Sequence, residues 1–234
     1  SSGSWTQVGS DINGEAGDDN SGISVSLSSD GSRLAIGAYL NGGNGSYSGH
    51  VRIYQYNNNS WSQLGADIDG EAANDYSGWS VSLSSDGSRV AIGAILNDGN
   101  GTNSGLVRIY DYNGSAWAQV GADIDGEAAN DQFGRSVSLS SDGSRVAIGA
   151  HFNDGGGDSA GHVRVYSIFS GGSYQYAWDV DSGSSLNDGT YRATVAGSDL
   201  AGNAYSGTDS ITFTLDTTAP TVTLTDTDAD NLVS

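Results

Sequence analysis

Apolar and polar residues alternate along short segments of the chain, and the same pattern returns three times. In the middle copy, Ser80–Ser84 (SVSLS) alternates small polar with apolar side chains, which predicts a half-buried β-strand. Asp86 and Gly87 then predict a hairpin turn, because glycine adopts positive φ without a steric penalty. The predicted return strand is Arg89–Ala94 (RVAIGA).

Two further strands complete the predicted unit. After the Gly- and Asn-rich loop Asn97–Gly105, Leu106–Tyr112 (LVRIYDY) has the alternation of a third strand. A turn follows, and Ala116–Gly121 (AWAQVG) is the fourth strand. The unit shows no helical periodicity, so each copy predicts four antiparallel strands.

The copies recur with a period of 56 residues (61 − 5 and 117 − 61), since they begin at Trp5, Trp61 and Trp117. Self-similarity over this length is typical of propellers and solenoids, in which each repeat needs a neighbour to bury its apolar faces. We therefore expect the three tryptophans, which recur at one position, to pack between repeats.

The motifs of the third copy resemble a known family. DQFGRSVSLSSDGSRVAIGA (131–150) and GHVRVY (161–166) resemble the FG-GAP repeat of integrin-type β-propellers. Phe133-Gly134 corresponds to the FG, and Ile148-Gly149-Ala150 to the GAP without its proline. The resemblance covers residues 4–169 and implies three four-stranded propeller blades. The family's calcium loop, D-x-D-x-D-G-x-x-D, is reduced in the middle hairpin to Asp86, so calcium is not expected in that hairpin.

Three copies are fewer than the roughly four to eight blades of most propellers. Because each copy begins with its tryptophan strand, Ser4–Gly9 is predicted to close the last blade beside His162–Tyr166. A longer array, or a ring completed by other copies of the chain, is the alternative. A β-trefoil or a β-prism is the alternative fold.

The final residues, 170–234, follow a different pattern. DGTYRATVAGSDLAGN (188–203) and LDTTAPTVTL (215–224) resemble bacterial Ig-like repeats of large surface proteins. The resemblance implies an incomplete β-sandwich, whose unpaired strand edges would accept strands from partners. The predicted strands are Tyr174–Val180, Thr190–Gly197, Ser210–Leu215 and Thr221–Thr225. The expected domains are thus a propeller-like region, 1–169, and a partial Ig-like region, 170–234.

The charge of the chain limits the classes of partner that it is expected to bind. It has 28 acidic residues against 8 basic ones, a net charge of −20, which disfavours nucleic acid and favours divalent cations. No apolar run is long enough to insert into a membrane. Cysteine is absent, which excludes disulfides and thiolate metal sites. No signal peptide is visible and the first residue is not Met, so we expect a piece of a longer precursor.

An acidic stretch returns at the start of each copy, and a similar one ends the chain. Carboxylates at alternate positions of a Gly-containing loop can converge on Ca²⁺, and they repel one another without a cation. The alternative is a solvated loop whose Asp side chains cap turns. The predicted calcium ligands are Asp11, Asn13, Glu15, Asp19, Asp67, Asp69, Glu71, Asp75, Asp123, Asp125, Glu127, Asp131, Asp226, Asp228 and Asp230.

A second repeated charge lies inside the hairpins. Arg33, Arg89 and Arg145 recur in register, and each is predicted to pair with a nearby repeated carboxylate, such as Asp30, Asp86 or Asp142. The three histidines do not recur at one position in all copies, and no catalytic spacing stands out, so we do not expect an enzyme.

These patterns predict an extracellular structural or adhesive segment of a large surface or secreted protein. It would assemble by strand pairing and blade stacking, into a fibre for example, with other copies of itself or neighbouring domains as partners and calcium as a stabiliser. The alternative function is a glycan- or protein-binding module that uses loops such as Asn97–Gly105.

Overall fold

The computed structural model describes residues 3–168, 189–194 and 210–215, and all regular structure in these residues is β-strand. The chain divides into two compact units, Ser1–Ile168 and Phe169–Ser234. In the described ranges no helix is long and apolar enough to cross a membrane. The predicted all-β class is confirmed.

The first sheet, here called blade 1, follows the strand order β1-β2-β3-β4. Its strands are β1 (Ser24–Leu27), β2 (Arg33–Ala38), β3 (His50–Asn57), β4 (Ser60–Gln63) and β5 (Ile68–Asp69). β3 is long enough for two partners, because β4 pairs with its Tyr54–Asn57 end and β5 with its His50–Val51 end. β5 lies in the acidic stretch that was predicted to be a loop, and the buried side chain of Ile68 anchors it.

Blades 2 and 3 repeat this arrangement. Blade 2 consists of β6 (Ser77–Leu83), β7 (Arg89–Ala94), β8 (Leu106–Tyr112), β9 (Trp117–Gln119) and β10 (Ile124–Asp125). Blade 3 consists of β11 (Ser136–Leu139), β12 (Arg145–Ala150) and β13 (His162–Ser167). The four predicted strands are thus confirmed in blades 1 and 2, and blade 3 has three strands among the described residues.

The second unit contributes one antiparallel pair, β14 (Gly189–Thr194) and β15 (Ser210–Leu215). These strands correspond to two of the four predicted there. The predicted strands Tyr174–Val180 and Thr221–Thr225, and the Ig-like sandwich as a whole, lie outside the described residues.

The hydrophobic core lies between blades. The front face of blade 1 is the side that faces blade 2, and the equivalent sides of blades 2 and 3 are also called front faces. The opposite side of each blade is its back face. The core between blades 1 and 2 combines front-face and back-face residues: Ala35, Val51 and Ile53 of blade 1 with Val81, Leu83, Val90 and Ile92 of blade 2. Between blades 2 and 3 the core contains Ala91, Val107 and Ile109 of blade 2 with Phe133, Val146, Ile148 and Ala150 of blade 3.

Blade 2 therefore buries both of its faces, one against each neighbour. This is how propeller blades pack, whereas each sheet of a β-prism turns one face toward a shared interior. None of the described sheets closes into a barrel, as a β-trefoil would require. The blade prediction is confirmed over the trefoil and prism alternatives.

At each interface, one glycine from each blade brings the two backbones into contact. A Cβ atom on Gly37 of β2 would lie 2.0 Å from the carbonyl oxygen of Gly78, at the start of β6. Gly93 and Gly134 form the same contact between blades 2 and 3, where the distance would be 2.2 Å. Gly78 and Gly134 also have positive φ, of 84° and 88°. Side chains at these positions would separate the blades.

Polar groups join the same interfaces. The hydroxyls of Ser24 and Ser80 donate to the carbonyls of Gly78 and Gly134, at 2.8 and 2.7 Å. These bonds satisfy carbonyl groups that the glycine contact removes from water.

The hairpin arginines also cross the interface, contrary to the prediction. Arg33 donates to the carbonyl of Gly87 in blade 2 at 3.0 Å, and Arg89 to that of Gly143 in blade 3 at 2.7 Å. Arg89 pairs through two hydrogen bonds with Asp111 on β8 rather than with Asp86 of its own hairpin. The hairpin carboxylate is already occupied, because it accepts hydrogen bonds within its own turn.

The prediction that Ser4–Gly9 closes blade 3 is wrong. These residues form no strand, and the Trp5 side chain is fully exposed. The tryptophan strand pairs with the third strand of the preceding repeat, as β9 does with β8, and the described chain has no repeat before Trp5. Trp61 and Trp117 do join repeats, since their indole nitrogens donate to backbone carbonyls 53 positions earlier in the chain.

Candidate functional site: acidic loops and open blade faces

The last carboxylate of each acidic stretch is a buried structural group. Oδ2 of Asp75 accepts hydrogen bonds from the Ala72 amide and from Nδ2 of Asn97, both at 3.0 Å. Asp19 and Asp131 are also buried and bond in the same way to Asn41 and Asn153. This position ties the acidic stretch to the loop that follows the second strand of the blade.

Each glutamate of the stretch faces an arginine on the third strand of a blade. Glu15 Oε1 lies 3.4 Å from Nη1 of Arg52. The corresponding pairs are Glu71 with Arg108 and Glu127 with Arg164. These arginines also recur every 56 residues, in HVRIY, LVRIY and HVRVY, and this signal was available in the sequence. The repeated carboxylates thus have repeated cationic partners within the protein.

The first carboxylate of each stretch accepts a hydrogen bond from a glutamine four residues earlier. The distances are 2.8 Å for Asp11, 2.6 Å for Asp67 and 2.7 Å for Asp123. Asp123 also pairs with Arg108, its two oxygens lying 2.9 and 3.3 Å from guanidinium nitrogens. Arg108 therefore contacts acidic residues of two successive stretches.

The remaining predicted ligands occupy different surroundings. Asp69 and Asp125 end the short strands β5 and β10, and partial burial raises the pKa of both, with a smaller contribution from the preceding Asp67 or Asp123. Asn13 is exposed. Asp226, Asp228 and Asp230 lie outside the described residues. Calcium in these loops stays a prediction, and an ion there would share several oxygens with arginine, glutamine or asparagine partners.

One group of three metal-ligating side chains converges within the described residues. It joins the predicted ligands Glu15 and Asp67 to His50, and the ligand atoms lie within 4.8 Å of one another. Sequence reasoning missed His50, because histidine is not found at that position in every copy.

Within the part of the chain that the structure describes, the stack of blades ends in two open faces. On the back of blade 1, Val25 and Leu27 are 61% and 57% exposed, whereas the equivalent Val81 and Leu83 are buried between blades. On the front of blade 3, Val163 and Val165 are 69% and 64% exposed, whereas their equivalents in blades 1 and 2 are buried.

At the same two end faces, the glycines equivalent to those of the internal interfaces have no backbone of another blade packed against them. No atom lies within 4 Å of a Cβ built on Gly22, the blade 1 equivalent of Gly78. A Cβ on Gly149, the equivalent of Gly37 and Gly93, would meet only Ser136 of its own hairpin. Each open face thus carries one half of the contact that joins the internal blades.

The order of these features along the chain matches a known repeat. Residues 66–110 and 123–166 match the family model of the FG-GAP repeat. Each match runs from the acidic stretch to the third strand, so an FG-GAP unit contains the acidic stretch, the FG glycine and the IGA glycine. The FG-GAP resemblance is therefore confirmed for these two segments. The Ig-like resemblance of the last residues stays a prediction.

Two similar solved structures each cover part of the chain. A proposed 6-phosphogluconolactonase from Bacteroides uniformis is 16% identical and has a TM-score of 0.43, over 61% of this chain and 35% of that protein. Hydrazine synthase of Kuenenia stuttgartiensis is 12% identical with a TM-score of 0.34, over 54% of this chain and 29% of that protein. The chain thus spans about a third of the length of these proteins. No curated protein matches the chain.

Proposed function

We propose that the chain is an extracellular structural segment that assembles by stacking FG-GAP blades, the front face of blade 3 in one copy against the back face of blade 1 in the next. The observation that carries this proposal is the equivalence of the open faces to the internal interfaces. Exposed Val25, Leu27, Val163 and Val165 occupy positions that are buried or partly buried wherever a neighbouring blade is present. FG-GAP repeats are typical of surface proteins, which supports the extracellular setting.

The energetics favour such a contact. Burying an aliphatic side chain of this size contributes about 1.5–3 kcal/mol, and four of them would leave water at each new interface. The contact joins two different faces, so it generates either a closed ring or an open filament. Two copies of three blades would give six, within the range of about four to eight found in propellers. A filament would provide the fibre that an adhesive role requires.

The proposal is tested by the mass of the chain in solution and by negative-stain electron microscopy. We expect rings or filaments, with more assembly at about 1 M salt than at about 0.15 M, because salt screens the repulsion between copies that each carry a charge of −20. Val165→Asp places a charge on the front face and should give monomers. Asn58→Asp adds the same charge in the β3–β4 turn and should assemble normally. A wild-type chain that stays monomeric at high salt would overturn the proposal.

An aromatic cluster supports a second candidate function, glycan binding. The Tyr39 ring lies 5.2 Å from that of Tyr76 and 4.9 Å from that of Trp79 between centroids, and Arg135 stacks on Trp79 at 4.4 Å. Aromatic faces of this kind can stack on sugar rings. A glycan array separates the two functions: binding by the monomeric Val165→Asp variant that Trp79→Ala abolishes would favour the binding module.

A further inference from the structure

The first repeat differs from the second in its third strand. His50, at the start of β3, is 1% exposed, and its equivalent in blade 2 is Leu106. Nδ1 of His50 lies 3.7 Å from Oδ2 of Asp67 and 4.0 Å from Oε2 of Glu15. Both separations exceed hydrogen-bonding distance, so this nitrogen of the buried histidine faces two carboxylate oxygens without a hydrogen bond to either.

The other oxygen of each carboxylate is held by a second residue. Oε1 of Glu15 faces Arg52 at 3.4 Å, and Oδ1 of Asp67 accepts a hydrogen bond from Gln63 at 2.6 Å. The oxygens that face His50 are thus oriented by their partners. Outer partners of this kind orient the ligands of protein metal sites.

We propose that Glu15, His50 and Asp67 bind a divalent transition-metal ion of the Zn²⁺ class, with Nδ1 of His50 and one oxygen of each carboxylate as ligands. Zn²⁺ takes nitrogen and oxygen ligands at about 2.0–2.2 Å in tetrahedral geometry, which places neighbouring ligand atoms about 3.4 Å apart. The separations of 3.7 and 4.0 Å therefore need only a small closure, which the half-exposed Glu15 can provide. A water molecule would complete the four ligands.

The charges at the site agree with this ion. Burial lowers the pKa of His50, which favours the neutral imidazole that binds metals. Glu15, Asp67 and the nearby Asp69 carry three negative charges against one positive charge on Arg52, so a divalent cation balances the group. The imidazole ligand distinguishes the site from a calcium site, because Ca²⁺ takes oxygen ligands.

Blade 2 shows how the same acidic pair is satisfied without a histidine. There Arg108 contacts both Glu71 and Asp123. In blade 1, Arg52 forms an ion pair with Glu15, and Asp67 faces His50 instead. In blade 3, His162 lies 3.8 Å from Glu127, but the described residues supply no third ligand. Among the described residues, three ligands of this kind therefore converge only in the first repeat.

Titration calorimetry of the full chain with Zn²⁺ tests the site. We expect one Zn²⁺ per chain and a higher melting temperature with the metal. His50→Leu, which introduces the residue of blade 2, should lower the affinity at least about 100-fold, and Glu15→Gln should lower it at least about tenfold. His162→Leu is the matched control and should bind as the wild type does.

The variants also separate metal binding from folding. Glu15 lies on an exposed loop, so Glu15→Gln keeps the test valid even if His50→Leu is unstable. The melting temperatures of wild type and Glu15→Gln should agree in the presence of a chelator. The proposal is overturned if the wild type binds no Zn²⁺, or if Glu15→Gln and His50→Leu bind it as tightly as the wild type. Monomeric and assembled chains should bind alike, so this result is independent of the stacking proposal.

Discussion

At the scale of single residues, most repeated polar side chains in this protein form hydrogen bonds or ion pairs with a neighbouring loop or blade. The hairpin carboxylates instead form hydrogen bonds within their own turns. The carboxylate of Asp86 accepts hydrogen bonds from the Ser84 hydroxyl at 2.6 Å and the Ser88 amide at 3.0 Å. This arrangement holds the pKa of Asp86 at about 2, and the equivalent Asp30 and Asp142 have the same bonds and the same lowered pKa.

These hairpins predict how stability depends on acid. A carboxyl whose pKa is lower in the folded chain stabilises it fully above the unfolded pKa of about 3.9, and this contribution is lost as the pH falls through about 2. The free energy of unfolding of the wild type should therefore decline between about pH 4 and pH 2. Replacing Asp30, Asp86 and Asp142 together by Asn should flatten that decline, as measured by urea unfolding at each pH. Equal slopes for the two proteins would contradict this account.

At the scale of elements, the sequence predicted what alternation and turns determine, and missed what depends on distant pairing. The hairpins and the third strands follow from period-two patterns and Asp-Gly turns. β5 and β10 were missed, because two residues are too few for a pattern and their pairing depends on β3 and β8. Strand Ser4–Gly9 was predicted from the register of the repeat, whereas the equivalent strands β4 and β9 pair with the third strand of the repeat that precedes them.

In the candidate site, too, the sequence predicted the repeated residues and missed most of the contacts between distant residues. The acidic stretches were found because they recur, but other partners of their carboxylates, such as Asn97 and Arg108, are distant in the sequence and are brought near only by the fold. Histidine at this position is shared by blades 1 and 3 but replaced by Leu106 in blade 2, so a search for residues common to all copies did not find His50. The predicted pairing of Arg89 with Asp86 failed because the fold brings Asp111 and the Gly143 carbonyl to that guanidinium.

The glycine contact between strands of adjacent blades gives a second prediction. Gly93→Ala should lower the free energy of unfolding by about 3 kcal/mol, because the new methyl group would lie 2.2 Å from the Gly134 carbonyl oxygen and neither backbone can move alone. Gly149→Ala is the matched control. There only the Ser136 hydroxyl is close, at 2.5 Å, and it can rotate, so the change should stay within about 0.5 kcal/mol. Urea unfolding of the two variants measures the difference, and equal destabilisation would contradict the contact.

At the scale of the whole molecule, the three blades of the first unit form a stack, which among the described residues ends in one open front face and one open back face. Both internal interfaces contain an apolar core, a glycine contact and a serine hydrogen bond. The same contacts could therefore form between blades of two different chains. The net charge of −20 opposes contact between copies. The balance between buried apolar area and this repulsion decides whether copies join, which is why ionic strength is the expected control.

Cross-linking measures that contact most directly. The amide of Ser29 donates to the Ser85 carbonyl at 2.8 Å, and that of Ser85 to the Ser141 carbonyl at 2.9 Å, so equivalent serines of adjacent blades are neighbours. The chain has no cysteine, so only introduced ones can react. Ser29→Cys with Ser85→Cys should form a disulfide within one chain, as the control for geometry.

Ser29→Cys with Ser141→Cys places the cysteines on the two end blades, where they meet only if blade 3 of one copy packs on blade 1 of another. After oxidation at about 1 M salt, we predict disulfide-linked dimers and longer species on a non-reducing gel. If this variant stays monomeric while the Ser29→Cys, Ser85→Cys control closes its disulfide, the end faces do not bind each other and the account of this chain as a self-stacking segment is contradicted.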